Sequence, residues 1–179
     1  MISRLSPEKN IGLCLGAFAR LPSSPGLRLV IAGEGPERAA LQAQATRLGV
    51  AERTRFLGHI DDPAGFLAGI DIYALSSASE QLPFSLLEAM AAGLPVAATD
   101  VGDVRQALAP PNRDLVVPPG GEAALAESLR LLAGSAELRR SLGTANAERA
   151  RTGFDRQRMI GAYRSLLQRI ASPRLSSGG

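Results

Sequence analysis

The chain has almost nothing from which a covalent or metal-held framework could be built. Cys14 is its only cysteine, so no internal disulfide forms and a reducing cytosol is the expected compartment. There is one histidine, His59, and no grouping of histidine, cysteine and carboxylate has the spacing of a metal site. Tryptophan is absent and aromatics make up 4%. With no Lys/Arg-rich run either, nucleic-acid readout is not expected. No apolar run approaches the ~20 residues that span a bilayer. The opening Met1-Ile2-Ser3-Arg4 is not followed by the apolar core of a signal peptide. No G-x-S-x-G is present, which leaves hydrolase chemistry without support. Lysine is nearly missing as well. Arginine supplies 19 of the 20 basic residues, so Lys9 stands out.

What is present fits one globular domain. A length of 179 residues, 45% hydrophobic and 21% charged, suits a single full core. The 19 glycines and 12 prolines punctuate periodic segments. The domain is expected over 1–171, with 172–179 a disordered tail. Net charge is +3, implying weak attraction to phosphates or to an anionic membrane surface.

Short apolar runs alternate with amphipathic stretches. Strands are expected at 27–32, 54–57, 70–75, 95–99 and 115–117. Ile11, Cys14, Leu15 and Phe18 recur at helical spacing, as do Leu41, Ala45 and Leu48 after Pro36. Further helices are expected at 83–92 and 121–133, and another around Leu138 and Leu142. A final one carries Met159, Ile160, Tyr163, Leu166, Leu167 and Ile170 on one face. Strands alternating with helices imply an α/β fold, a Rossmann-like parallel sheet with helices on both faces. Such a sheet normally opens with a strand feeding the first helix. Here only a few residues precede that helix, so the opening strand looks truncated.

The stretch 76–103, SSASEQLPFSLLEAMAAGLPVAATDVGD, carries the chemistry. A strand ends in Ser76, Ser77 and Ser79, a loop carries Glu80, and Pro83 stands at the first turn of a helix that ends at Gly93. Ligands of such sheets bind at the carboxyl ends of the strands. The free N–H groups of Phe84, Ser85 and Leu86 would face that crevice and suit a phosphate. Glu88, between one and two turns into the helix, can accept two hydrogen bonds from a vicinal diol such as a ribose. It sits in an apolar stretch, LLEAMAAG, where an unpartnered charge is costly.

The run SEQLPFSLLEAMAAGLPVAATDVGD resembles the E-x7-E signature of the retaining glycosyltransferase family four, with Glu80 and Glu88 as its two glutamates. SRLSPEKN, IAGEGPE, FLG and DLVVPPGG resemble further runs of the family, and the likeness reaches to about Arg169. It implies the C-terminal, donor-binding half of the GT-B architecture. The ligand implied is a UDP-, GDP- or ADP-sugar, with no cofactor and no metal. By position Arg4 and Lys9 would hold the diphosphate, Glu88 the ribose, and Glu80 the hydroxyls of the transferred sugar, making it the catalytic-site carboxylate. The backbone from Leu82 to Leu86 would touch sugar and phosphate. The reaction implied is transfer of a hexose, with retention, to a glycan, lipid or small acceptor.

The chain departs from the family at Gln81 and Asp103, where glycine is common, and at Gln106, a frequent glutamate. The acceptor domain and its histidine loop would lie N-terminal to this region. The partner expected is therefore that domain or a separate subunit, without which the chain is a non-enzymatic nucleotide-binding fragment. A GT-B epimerase or phosphorylase is disfavoured by the two glutamates. His59 is read as a loop residue, Asp61-Asp62 as a helix cap, and GEGPER as a turn into a helix. The uncovered face of the final helix and the free sheet edge imply self-association as a dimer, while peripheral contact with a membrane is expected from the net positive charge alone.

Overall fold

The computed structural model describes residues 1–171 except Pro25; the tail expected at 172–179 lies outside the described residues. The elements run α1 (Ile11–Ala19), β1 (Leu29–Ala32), α2 (Arg38–Arg47), β2 (Thr54–Gly58), α3 (Pro63–Ala68), β3 (Tyr73–Leu75) and α4 (Phe84–Ala91). They continue β4 (Val96–Thr99), α5 (Val104–Ala107), β5 (Val116–Val117), α6 (Glu122–Gly134), α7 (Ala136–Gly153) and α8 (Arg156–Ala171). All strand pairs are parallel: β1 with β2 in one sheet, and β3–β4–β5 in the other. All strands but β2, which starts at Thr54 as expected, begin later than the apolar runs suggest. Residues such as Leu27 and Ile70 belong to the approach to a strand and not to its ladder.

Period-two alternation sends neighbouring side chains to opposite faces. Ala74, Ala97 and Val117 pack with α1, α2 and α6, while Tyr73, Leu75, Val96, Ala98 and Val116 pack with α3, α4 and α5. Both faces are therefore covered, and the strands read as continuous apolar runs for that reason. Asn146 of α7 donates to the Leu94 carbonyl at 2.9 Å and to Asn112 Oδ1 at 2.7 Å, and Asn112 donates to the Val96 carbonyl at 2.6 Å. This buried, fully paired cluster fixes α7 against the start of β4.

The opening segment forms no strand of its own, only a parallel bridge between Ile2 and Ala32, in keeping with the truncation expected there. The Met1 ammonium donates to the Val30 carbonyl at 2.9 Å, Ala32 N–H to the Met1 carbonyl at 3.0 Å, and Ser3 N–H to Ala32 at 2.9 Å. Leu5 N–H then donates to Glu34 at 2.8 Å. The segment GEGPER admits this approach. A Cβ on Gly33 would collide with the Ser3 carbonyl, and one on Gly35 with the Leu5 carbonyl. The glycines serve backbone contact between the opening segment and the β1–α2 turn.

Burial sets a pH optimum for stability. Desolvation pushes the Met1 ammonium from 8.0 down to about 6, the Cys14 thiol from 9.0 up to about 11 and the Tyr73 phenol from 10.0 up to about 12. Between pH 6 and 8 the unfolded chain binds the extra proton at Met1, so stability rises with pH. Above pH 9 the unfolded chain releases protons that Cys14 and Tyr73 retain when folded, so stability falls. A two-unit shift corresponds to about 3 kcal/mol at most. Urea midpoints of the chain beginning at Met1 should peak near pH 8 to 9 and decline on both sides. A midpoint flat from pH 6 to 10 would contradict this.

Candidate functional site

The loops at the carboxyl ends of the strands bring four segments together. The first is a 3-10 turn, Pro7–Lys9, closed by Asn10 in the left-handed region at φ 44°. It is laced to the loop after β3. Ala78 N–H donates to the Glu8 carbonyl at 2.8 Å and Ser76 Oγ to the Lys9 carbonyl at 3.2 Å. These bonds hold the Lys9 backbone beside the loop that carries Glu80.

Lys9 Nζ and Glu80 Oε1 form an ion pair at 2.7 Å, with 24% and 10% of the side chains exposed. Ser77 Oγ donates to the same Oε1 at 2.7 Å. Ser77 is itself fixed, because the buried Thr99 hydroxyl donates to its carbonyl at 2.6 Å. Glu80 Oε2 has no hydrogen-bond partner and is not sealed from solvent. One carboxylate oxygen is thus anchored twice, and the other carries no hydrogen bond. Low exposure strengthens the pair relative to a surface ion pair.

The loop after β4 closes this arrangement from behind. Gly102, at φ 52°, leaves no room for a Cβ against the Glu80 and Gln81 carbonyls, and Asp103 N–H donates to the Gln81 carbonyl at 2.8 Å. Two of the three positions that depart from the family pattern, 81 and 103, meet across that bond.

Helix α4 starts one residue later than expected. Pro83 is its N-cap in extended conformation. Phe84 and Ser85, the first helical residues, present N–H groups without intrahelical partners. The third donor is already in use, since Leu86 N–H bonds the Pro83 carbonyl at 3.1 Å, and the Leu86 side chain is fully buried. Leu82 is half-buried and Phe84 is 82% exposed at the mouth. Beneath it the buried Tyr73 hydroxyl donates to the Ile2 carbonyl at 3.3 Å. Its high pKa comes first from burial, against hydrogen bonds with Ser85 and Ile2, with the charges of Glu88 and Glu80 adding to the rise.

Glu88 corrects an expectation. Its side chain is exposed and has no hydrogen-bond or ion-pair partner, so the desolvation cost inferred from LLEAMAAG does not arise. The apolar neighbours Leu86, Ala89 and Met90 face the core, and Glu88 takes the polar stripe of the same helix. Arg4 is exposed, and its charge acts on the Glu8 carboxylate. His59 is exposed and lies 3.4 Å from Asp61, and Asp62 caps α3 through Gly65 N–H at 2.9 Å.

A cavity of about 740 Å³ lies elsewhere, against Met1, Leu29, Val30, Ile72, Ala74 and Leu129. It opens at the amino ends of β1 and β3, opposite the loops just described, and contains none of these site residues. We place the site in the loops, where the donors and charges converge. Among the described residues no group of three or more His, Cys, Asp or Glu could hold a metal ion. Ser77, Thr99 and Tyr73 carried no assigned role in the sequence. The one available sign was the run of small hydroxylated residues closing β3.

A parallel α/β sheet covered by helices on both faces, with two glutamates eight residues apart in the loop and helix after β3, is that of a nucleotide-sugar-binding domain of GT-B type. Residues 1–149 match the family model for glycosyl transferases group 1, and the chain belongs to that family. The retaining, C-terminal-domain reading fits it. The chain is 32% identical over 166 residues to the lipopolysaccharide core biosynthesis glycosyltransferase LpsE of Rhizobium meliloti, covering 93% of this chain and 48% of that protein. It is 36% identical over 149 residues to the phosphatidyl-myo-inositol mannosyltransferase of Mycobacterium leprae, covering 81% and 39%. Among solved structures, Anabaena Alr3699/HepE in complex with UDP superposes with a TM-score of 0.83 at 26% identity, over 92% of this chain and 47% of that one. The chain thus spans about half the length, or less, of the curated relatives it matches. Among the described residues no helix is long and apolar enough to cross a membrane.

Proposed function

We propose that the chain binds a nucleoside-diphosphate sugar as donor for hexose transfer. The observation that carries the proposal is the Lys9–Glu80–Ser77 cluster, set at the mouth of the helix that bears Glu88. Lys9 and Arg4 supply positive charge for the diphosphate, and the Phe84 and Ser85 N–H groups add donors. Glu88 takes the ribose diol. Glu80, with one oxygen anchored, orients the sugar through the other. As the glycosidic bond breaks, charge grows on the leaving diphosphate, and the two cations stabilise it. UDP is the first base to test, because HepE is solved with UDP and with UDP-glucose.

The half-length match favours a division of labour. The donor site resides in this chain, and the acceptor, whether glycan, lipid or small molecule, is held by a separate domain or subunit. The purified chain should bind donor without turning it over. Calorimetric titration with UDP tests the site. Lys9→Met removes one charge-assisted contact worth about 1.5–3 kcal/mol, so affinity should fall roughly 10- to 150-fold. Equal affinity of the folded variant would move the diphosphate elsewhere.

A further inference from the structure

Strand β4 outruns its neighbour. The β3–β4 register ends with Leu75 opposite Ala98, while β4 continues to Thr99, opposite Val117 of β5. Continued by the parallel pattern, the ladder would bring the Val101 N–H to the Ser77 carbonyl. That N–H turns back instead to the carbonyl of Thr99 at 3.1 Å. The Thr99 hydroxyl takes the vacant acceptor and donates to the Ser77 carbonyl at 2.6 Å. Thr99 and Ser77 are both buried, where an acceptor left without a donor is costly. One side chain therefore sets how the loop after β3 leaves the sheet.

The same loop carries Glu80. Ser77 Oγ, borne on the backbone that Thr99 holds, donates to Glu80 Oε1 at 2.7 Å, and Lys9 Nζ reaches that oxygen at 2.7 Å. The links run in series from the sheet to the site. The β4 hydroxyl holds the Ser77 backbone, the Ser77 hydroxyl holds Oε1, and Oε1 holds the ammonium. Thr99 has no hydrogen bond to Glu80 or Lys9, so it acts on them through Ser77.

We propose that Thr99 is a positioning residue for Glu80: by holding the Ser77 carbonyl it aims the Ser77 hydroxyl at Oε1, and so turns the other carboxylate oxygen toward the sugar of the donor. The sugar half of this inference rests on the donor reading above, whereas the aiming of Glu80 and Lys9 does not. A residue that served packing alone would answer to volume, so valine, with the shape of threonine, would replace it better than the smaller serine. A positioning residue answers to the hydroxyl, so serine replaces it better than valine. The two roles predict opposite orders.

Lys9 is the only lysine of the chain, so lysine carrying the heavy nitrogen isotope at Nζ gives one side-chain ammonium signal by nuclear magnetic resonance. Glu80→Gln, which removes the charge opposite Lys9, defines the displaced position of that signal. Thr99→Val should move the signal most of the way there. Thr99→Ser should leave it where the parent has it, even though the serine variant melts lower. Thr99→Ala differs from Thr99→Ser by the hydroxyl alone and gives the same comparison should the valine variant fail to fold. With UDP and UDP-glucose as probes, the ratio of the two affinities should fall at least ~5-fold in Thr99→Val and less than ~2-fold in Thr99→Ser, because part of one charge-assisted hydrogen bond to the sugar is lost. A Lys9 signal unmoved by Thr99→Val, or displaced as far by serine as by valine, would overturn the proposal. So would an unchanged affinity ratio in a valine variant that binds both probes. A parent that binds neither probe would tell against the donor reading, and the Lys9 signal would still decide whether Thr99 aims Glu80.

Discussion

Replacing Glu88 with alanine removes nucleotide binding from a chain that still folds. The two halves of this expectation rest on separate observations. Glu88 is exposed on α4 and has no partner, so its loss breaks no native contact. Substitutions at such positions usually change stability by no more than ~0.5 kcal/mol. A ribose diol, by contrast, gives the carboxylate two hydrogen bonds, each worth about 1.5–3 kcal/mol when one partner is charged. Their loss should weaken a nucleoside diphosphate at least ~100-fold. Melting curves and titration on the same sample check both halves. A folded variant with undiminished affinity would remove Glu88 from the ribose site.

Gly35→Ala should be a strongly damaging small substitution near the site. The new Cβ would collide with the Leu5 carbonyl, which is backbone and cannot rotate away. Leu5 is held there from both sides, donating to Glu34 at 2.8 Å and accepting from Glu37 N–H at 3.1 Å. Overpacking of this kind costs about 3 kcal/mol, which lowers the melting temperature of a domain this size by roughly 10 °C. Binding should weaken as well, because Arg4 precedes the displaced residue and Lys9 follows it by one turn. Gly134→Ala is the control, since its Cβ meets nothing within 4 Å. Equal melting of the two variants would show that the opening segment yields freely.

Much of this was readable before any coordinates. Alternating apolar runs and amphipathic stretches located the strands and helices, because a buried parallel strand and a one-faced helix leave different periods. The E-x7-E run placed Glu80 and Glu88 on a strand–loop–helix unit, and the structure has that unit. Other features were out of reach of pattern reading. The apolar sequence neighbours of Glu88 imply a costly burial. A helix, however, turns successive residues to different faces, and Glu88 lands on the open one. The Lys9–Glu80 pair joins residues 71 apart in sequence, and only the folded opening segment brings them together. Ser77 and Thr99 act through single hydrogen bonds that composition does not announce. The glycines of GEGPER suggested a turn, whereas their need comes from carbonyl groups thirty residues upstream.

The first measurement should be thermal unfolding in the presence of UDP, GDP, ADP and their sugars. A ligand at ~100 times its dissociation constant adds about 2.7 kcal/mol, which should raise the melting temperature by roughly 8 °C. The donor-site proposal predicts that shift with one base and its sugars, and its loss in Glu88→Ala. A cooperative melt unmoved by every nucleotide would contradict it.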